Sequence, residues 1–173
     1  MPTDAQSHSY HATCFIPSLP VLGEFAQALS RNLHPGDLVA MDGTLGAGKT
    51  TLVQYLAQAL GVEETVSSPT FVLMNEYLSG PFPIVHVDLY RLGPERAGGF
   101  AGEIQAVLDE GRALVLVEWA CFGEFLRDDI TVALQLDFVE PDSESRRITL
   151  TSRRPLQLPS HLLDQFDYSS LID

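Results

Sequence analysis

The chain has 173 residues, which is enough for one domain with a sheet buried between helices. Its 10 basic and 23 acidic residues give a formal net charge of −13, which disfavours direct binding of nucleic acid or of an anionic membrane surface. No apolar run has the length of a membrane span, and the first residues lack the layout of a signal peptide, so we expect a cytoplasmic protein without a membrane contact.

The first half of the chain predicts an alternation of strands and helices. Residues 11–16 predict a first strand, and apolar residues at helical spacing then predict a helix that ends before Pro35. The residues of this helical stripe are Leu22, Phe25, Ala26, Leu29 and Leu33. Residues 37–41 are a short apolar run typical of a strand, and residues 51–60 predict a second helix that ends at Gly61.

A glycine-rich segment between that strand and the second helix matches the P-loop pattern G-x-x-x-x-G-K-[ST]. It consists of Gly43, Thr44, Leu45, Gly46, Ala47, Gly48, Lys49 and Thr50, followed by Thr51. Such a loop binds a nucleotide's phosphates, because its amides and the positive end of the helix dipole converge on one anion. Lys49 is the only lysine in the chain, and we expect it to contact the β- and γ-phosphates while the Thr50 hydroxyl ligates magnesium.

The second half predicts a hairpin, a short helix and three further strands. Residues 71–77 and 84–90 predict two paired strands, and their place directly after the P-loop helix implies a mixed rather than a purely parallel sheet. Residues 92–102 are rich in glycine and proline and show no clear pattern, whereas residues 103–110 predict a helix. Residues 113–117 are a continuous apolar run typical of a strand buried on both faces. Two antiparallel strands are expected to complete the sheet at residues 130–139 and 147–152.

We therefore predict a single P-loop ATPase domain over residues 1–154, with an α/β, P-loop NTPase-like three-layer fold and a mixed central sheet. Residues 155–173 form a C-terminal tail. This tail could be mobile, or it could dock a short helix through Leu162, Leu163 and Phe166.

Two carboxylates stand at the ends of predicted strands. Asp88 ends the run Ile-Val-His-Val, and Glu118 ends the run Leu-Val-Leu-Val. A P-loop nucleotidase needs an acid at such a position, to hold magnesium or to orient the attacking water. A carboxylate at the mouth of a buried strand is costly unless it meets a cation or hydrogen-bond donors, and magnesium beside Lys49 would supply that partner. His86 lies within a predicted strand, and we expect a packed, hydrogen-bonded side chain there rather than a metal ligand.

Four motifs occur in order along the chain. They are Gly43-Thr44-Leu45-Gly46-Ala47-Gly48-Lys49-Thr50-Thr51, Ser68-Pro69-Thr70-Phe71, His86-Val87-Asp88-Leu89-Tyr90-Arg91 and Val117-Glu118-Trp119. In this order they resemble the TsaE (YjeE) family, which are bacterial ATPases required for the threonylcarbamoyladenosine modification of tRNA. The resemblance implies a P-loop fold of atypical sheet order that binds ATP and magnesium and hydrolyses ATP slowly alone. It also implies that the protein acts together with a TsaB–TsaD protein pair, which transfers the threonylcarbamoyl group. Because of the net charge of −13, we expect any contact with tRNA to be indirect.

At the matching positions of this chain, the resemblance implies that Lys49 binds phosphate and that Thr50 and Glu118 bind magnesium. Asp88 becomes the second acid, which we assign to the activation of water. Thr70 would lie in a loop that senses the γ-phosphate. The remaining candidates, which would pack beside the site or frame the base and ribose, are Trp119, Arg147 and the region of Ser18.

Two alternative functions stay open at this point. A small-molecule kinase of the P-loop class usually carries an Arg-rich lid, and residues 92–112 supply only Arg96 and Arg112. A nucleotide-binding interaction module would bind without turnover, and Asp88 and Glu118 would then have no catalytic role. The sequence carries no indication for or against self-association.

Overall fold

The computed structural model describes residues 10–69, 72–140 and 144–163, in which seven strands form one sheet. The strands are β1 (Tyr10–Ile16), β2 (Leu38–Gly43), β3 (Met74–Tyr77), β4 (Ile84–Asp88), β5 (Leu114–Glu118), β6 (Val132–Phe138) and β7 (Arg146–Ser152). The α-helices of the same residues are α1 (Leu19–Ser30), α2 (Lys49–Ala59), α3 (Gly93–Ala97) and α4 (Ala101–Glu110). None of these helices combines the length and the apolar character that a membrane crossing requires.

The sheet has the strand order β1-β7-β6-β2-β5-β4-β3. Its centre, β6-β2-β5-β4, is parallel. The pairs β1–β7, β6–β7 and β3–β4 are antiparallel. Short connections join β3 to β4 and β6 to β7 and therefore favour antiparallel pairing, whereas the parallel centre depends on longer crossovers. The predicted α/β fold with a mixed sheet of atypical order is confirmed.

Helices cover both faces of the sheet and create two separate cores. Met41 of β2 belongs to the same buried cluster as Phe25 of α1 and Leu52 of α2. Its neighbour Ala40 points to the opposite face and shares a cluster with Ile104 of α4. All residues of β5 are buried, which confirms the prediction of a strand covered on both faces.

Several element boundaries differ from the sequence prediction. β3 begins at Met74 rather than at residue 71, because Leu73 adopts a left-handed backbone with φ of 65° that interrupts the extended run. The glycine-rich segment that showed no clear pattern contains α3, in which Pro94 occupies the first turn, where its missing N–H costs no helical hydrogen bond. α4 begins earlier than predicted, at Ala101.

The described part of the segment after β7 returns to the core. Leu156 and Leu162 are 5% and 2% exposed and belong to the cluster that also contains α1 and α2 side chains. A single 3-10 turn forms at Ser160–Leu162. Phe166, the other apolar candidate for a docked helix, lies outside the described residues.

Candidate functional site

The glycine loop joins β2 to α2, and its three glycines all have a positive φ, which favours glycine. Gly43 ends β2 with φ of 134°, and a Cβ atom there would lie 2.1 Å from the carbonyl oxygen of Leu136 in β6. Gly48 precedes α2 with φ of 104°. The first turn of α2 starts at Lys49, and the amides of a first turn have no carbonyl partner inside their helix. These amides are therefore available to an anion that the loop surrounds.

The Lys49 side chain is held by the loop itself. It is 4% exposed, and its Nζ donates to the carbonyl oxygens of Gly43 at 2.7 Å and Thr44 at 3.0 Å. The centre of the Trp119 ring lies 4.0 Å from the same Nζ, which is a cation–π distance. Burial lowers the pKa of Lys49, while neighbouring carboxylates, Glu118 foremost, act against this shift.

Side chains from α2, β5 and β4 meet beside this lysine. The Thr50 hydroxyl lies 2.8 Å from Oε1 and 3.0 Å from Oε2 of Glu118. Nε2 of His86 lies 2.9 Å from the same Oε1. Glu118 is 3% exposed, so hydrogen bonds rather than solvent stabilise its charge. The Thr50 hydroxyl donates its single proton to the carboxylate, so the lone pairs of the hydroxyl oxygen remain available to a cation.

Asp88 is the second carboxylate of the site, and it pairs with Glu118 in the register of β4 and β5. Its Oδ2 accepts a hydrogen bond from the Ser68 hydroxyl at 2.9 Å, and its Oδ1 accepts one from the Tyr90 amide at 3.0 Å. Asp88 is only partly buried. A carboxylate that is oriented in this way and still accessible has the properties of a general base or a water-orienting group.

Trp119 follows Glu118 directly and has an unusual backbone. Its φ of 57° is a left-handed conformation that costs a bulky residue about 1–3 kcal/mol and persists only where its surroundings hold it. Its amide donates to the Met41 carbonyl at 2.9 Å, and its ring contacts Tyr90 and Phe122 at centroid distances of 4.8 and 5.6 Å. These contacts keep the indole against the lysine of the P-loop.

Most of these groups line one cavity of about 320 Å³. Its lining consists of Leu45, Gly46, Gly48, Lys49, Thr50, Thr51, Ser68, Asp88, Tyr90, Arg91, Glu118 and Trp119. The fold therefore brings together most of the residues that the sequence singled out. Ser68, Tyr90 and Arg91 had no assigned role, although they stand in the quoted motifs, and that membership is the signal that could have found them.

Three residues of the loop, all within the part of the chain that the structure describes, are not part of the cavity lining. Gly43 and Thr44 instead direct their carbonyl oxygens at Lys49. The Ala47 carbonyl accepts a hydrogen bond from Nε of Arg146 at 3.1 Å. Sequence reasoning missed this contact, because it joins two segments that lie 99 residues apart in the chain.

Arg147 and Ser18, which the structure describes, are not part of the cavity lining. Side chains alternate along β7, so Arg147 projects from the face opposite to that of Arg146. Ser18 stands at the start of α1. Thr70 lies outside the described residues, and its role stays a prediction.

The oxygens of Thr50 and Glu118 fit a magnesium ion that is bound jointly with phosphate. Magnesium prefers hard oxygen ligands, and proteins usually hold it through one or two carboxylates together with substrate phosphates and water. Across residues 10–69, 72–140 and 144–163, no group of three or more His, Cys, Asp or Glu side chains could hold a metal alone. A magnesium ion here would therefore need ligands from a nucleotide and from water.

Comparison with known proteins shows which family has this arrangement. The family model for the threonylcarbamoyl adenosine biosynthesis protein TsaE matches residues 17–148. The chain belongs to the TsaE family. Its curated relatives in this family are described as tRNA threonylcarbamoyladenosine biosynthesis proteins.

Two curated TsaE proteins and one crystal structure illustrate the similarity. The TsaE of Streptomyces coelicolor is 39% identical over 138 residues, which cover 74% of this chain and 88% of that protein. The TsaE of Synechocystis sp. is 45% identical over 78 residues, which cover 45% of this chain and only 50% of that protein. The crystal structure of YdiB from Bacillus subtilis aligns with a TM-score of 0.64 and 26% identity over 84% of this chain and 88% of that chain.

Proposed function

We propose that this TsaE chain binds ATP with magnesium in the cavity and hydrolyses it, and that hydrolysis supports threonylcarbamoyl transfer to adenosine of tRNA by a TsaB–TsaD-type protein pair. One observation carries the proposal. The Thr50 hydroxyl and the Glu118 carboxylate are 2.8 Å apart in the same cavity as Lys49 and Asp88. A phosphate-binding loop, a pair of metal-binding oxygens and a second acid are the parts that nucleotide hydrolysis requires.

The loop and Lys49 account for phosphate binding. The ammonium now donates to two carbonyl oxygens of the loop, and its flexible stem allows it to turn toward phosphate oxygens of a bound nucleotide. The amides of the first turn of α2 add uncharged donors at the same place. When magnesium is bound, it offsets phosphate charge, and Thr50 and Glu118 are the residues that would hold it.

Asp88 is the residue that orients the attacking water in this proposal. Ser68 and the Tyr90 amide fix its two oxygens, which leaves the carboxylate with spare lone pairs toward the cavity. A positioned carboxylate accelerates hydrolysis by accepting a hydrogen bond from water and by fixing the direction of attack. Loss of the γ-phosphate to water is the resulting reaction.

The packing of the α3–α4 segment weighs against the kinase alternative. Ala97 of α3 and Ile104 of α4 are fully buried in the core on the face of the sheet opposite to α2. Arg112, which follows α4, pairs with Glu110 on the surface. This segment therefore does not serve as an arginine-rich lid over the P-loop.

Exposed apolar side chains at the cavity support an interaction with a protein partner. Leu45 and Tyr90 line the cavity and are 71% and 49% exposed. Large apolar groups at a cavity mouth favour burial against another protein. Direct tRNA contact is disfavoured by the net charge of −13. Arg146 and Arg154 are in addition engaged with Ala47 and Asp37 inside the fold. We therefore propose that tRNA is reached through the partner.

The decisive experiment measures phosphate release from ATP by the purified chain, alone and with a purified TsaB–TsaD-type pair. We expect slow release alone and clear stimulation by the pair. Full turnover by a Glu118→Gln, Asp88→Asn double variant would favour the interaction module and overturn the proposed hydrolysis. Faster transfer of phosphate to a metabolite than to water would favour the kinase.

A further inference from the structure

His86 is a buried polar residue that the proposed chemistry has not yet used. It stands in the middle of β4 among Ile84, Val85 and Val87, and it is 0% exposed. A histidine is an unusual choice for a strand position of this kind, which apolar residues normally fill. A polar side chain at this buried position therefore needs a specific hydrogen-bond partner.

That partner is Glu118. Alternate residues of a strand share a face, so His86 and Asp88 project to the same side of β4, as Leu116 and Glu118 do on β5. His86 pairs with Leu116 in the register of the two strands. Its ring therefore reaches toward the end of β5, where Nε2 lies 2.9 Å from Oε1 of Glu118.

The two ring nitrogens of His86 differ in their surroundings. Nδ1 is buried and has no hydrogen-bond partner among the described residues. A carboxylate only accepts hydrogen bonds, so the hydrogen shared with Glu118 lies on Nε2. His86 thus acts as the donor to the carboxylate.

We propose that His86 is a positioning residue for the metal site: its Nε2–H holds Oε1 of Glu118, so that the carboxylate and the Thr50 hydroxyl stay in one geometry for the cation. This inference rests on the proposed role of Glu118 in magnesium binding. A donor at Nε2 suits the task, because it fixes Oε1 of the carboxylate and leaves further lone pairs of both oxygens for a cation. Hydrogen-bond partners of metal-binding carboxylates contribute to metal affinity in this way.

The test uses two amide variants that differ in reach. The side-chain nitrogen of glutamine corresponds in position to Nε2 of histidine, whereas that of asparagine corresponds to Nδ1. His86→Gln therefore keeps a donor within reach of Glu118, and His86→Asn withdraws it. Mn²⁺ is the probe, and its binding is followed by electron paramagnetic resonance in the presence of a non-hydrolysable ATP analogue.

We expect His86→Asn to weaken Mn²⁺ binding by about 10- to 100-fold, the usual effect of losing a partner of a metal ligand. His86→Gln is expected to retain binding close to that of the unsubstituted protein. Binding of the analogue without metal should be unchanged in both variants, because the hydrogen bond of His86 in the described residues goes to Glu118 and not to the P-loop. Equal Mn²⁺ affinity in the Asn and Gln variants would overturn the inference.

Glu118→Gln separates this inference from the proposed function. If Glu118→Gln leaves Mn²⁺ binding unchanged, the proposed role of Glu118 fails. If Glu118→Gln weakens binding and His86→Asn does not, only the role of His86 fails. A measurement on the unsubstituted protein covers the case in which His86→Asn does not fold: histidine ¹⁵N spectra, assigned with His86→Gln, are expected to show hydrogen on Nε2. The opposite tautomer would also overturn the inference.

Discussion

The hydroxyl of Thr50 lies 2.8 Å from Oε1 of Glu118, although 68 residues separate them in the sequence. The sheet explains this proximity, because β2 pairs in parallel with β5 and places Met41 opposite Glu118. The chain then leaves β2 at Gly43 and returns as α2, which carries Thr50 in its first turn. Strand pairing and the glycine loop together therefore hold the two oxygens side by side.

Glu118→Gln tests this pair, because it keeps the shape of the side chain and removes its charge. We expect Mg²⁺-dependent phosphate release to fall by about 100- to 1000-fold, the usual effect of deleting one electrostatic contact in an active site. ATP binding measured without metal should change little. The matched control is Glu110→Gln on the surface of α4, for which we expect no effect. Unchanged hydrolysis in Glu118→Gln would contradict the assignment.

Lys49→Ala tests phosphate binding. The substitution removes a charge that is 4% exposed and held at 2.7 Å from the Gly43 carbonyl. We expect calorimetry to show ATP affinity reduced by about 100-fold, which corresponds to ~3 kcal/mol for a charged hydrogen-bonding group. Lys49→Arg is not expected to restore binding, because a planar guanidinium does not reproduce the compact ammonium that acts as a point charge among phosphates. Arg112→Ala provides a surface control for the loss of one positive charge.

Ser68→Ala tests the orientation of Asp88. The Ser68 hydroxyl is the side-chain donor to Oδ2 at 2.9 Å, and its loss leaves that oxygen free to turn away. We expect kcat to fall by about tenfold with the ATP dissociation constant unchanged, since one hydrogen bond to a charged group is worth ~1.5–3 kcal/mol. Ser68→Thr keeps the hydroxyl and should keep most of the activity. In an Asp88→Asn background, Ser68→Ala should add nothing, and an additive loss would show that the two residues act independently.

The sequence was informative wherever one local pattern determined the outcome. β2, the P-loop and α2 were predicted because hydrophobic spacing and the glycine pattern lie within one continuous segment. Glu118 was predicted as an acid at the end of a buried strand, because it directly follows a continuous apolar run.

Other features of the site depend on contacts between distant segments and were not predictable. The sequence indicates that His86 is a buried polar residue, but its partner Glu118 follows only from the pairing of β4 with β5. The left-handed backbone of Trp119 depends on its contacts with Tyr90, Phe122 and β2. Arg147 was a candidate through the family resemblance, whereas Arg146 makes the contact with the loop, and adjacent residues of a strand project from opposite faces.

Trp119 predicts an optical signal for nucleotide binding. It is the only tryptophan of the chain, and its ring centre lies 4.0 Å from Nζ of Lys49. When Lys49 turns toward phosphate, the charge next to the indole moves, so we expect a change in tryptophan emission that saturates with ATP concentration. Lys49→Ala should change the emission of the free protein and abolish the ATP response. An unaltered spectrum at saturating ATP, verified by calorimetry, would show that the ammonium does not move.

The pair formed by Asp37 and Arg154 predicts a pH-dependent contribution to stability. Nη1 of Arg154 lies 2.8 Å from Oδ1 of Asp37, and this hydrogen bond links the segment that follows β7 to the residue that precedes β2. Burial raises the pKa of Asp37, but the hydrogen bonds and charge of Arg154, together with the His34 amide, outweigh it and lower the pKa below its ordinary value of 3.8.

Because the folded-state pKa of Asp37 lies below the unfolded one, its stabilisation is fully present above the unfolded value and is lost as pH falls through the folded value. Asp37→Asn should therefore reduce the free energy of unfolding by ~1.5–3 kcal/mol at neutral pH, as expected for a charge-assisted bond. The difference from the unsubstituted protein should shrink as the pH falls below about 4. Urea unfolding from neutral to acidic pH measures both quantities, with exposed Asp128→Asn as the control. A difference that stays constant across this range would show that the carboxylate charge is not what stabilises the contact.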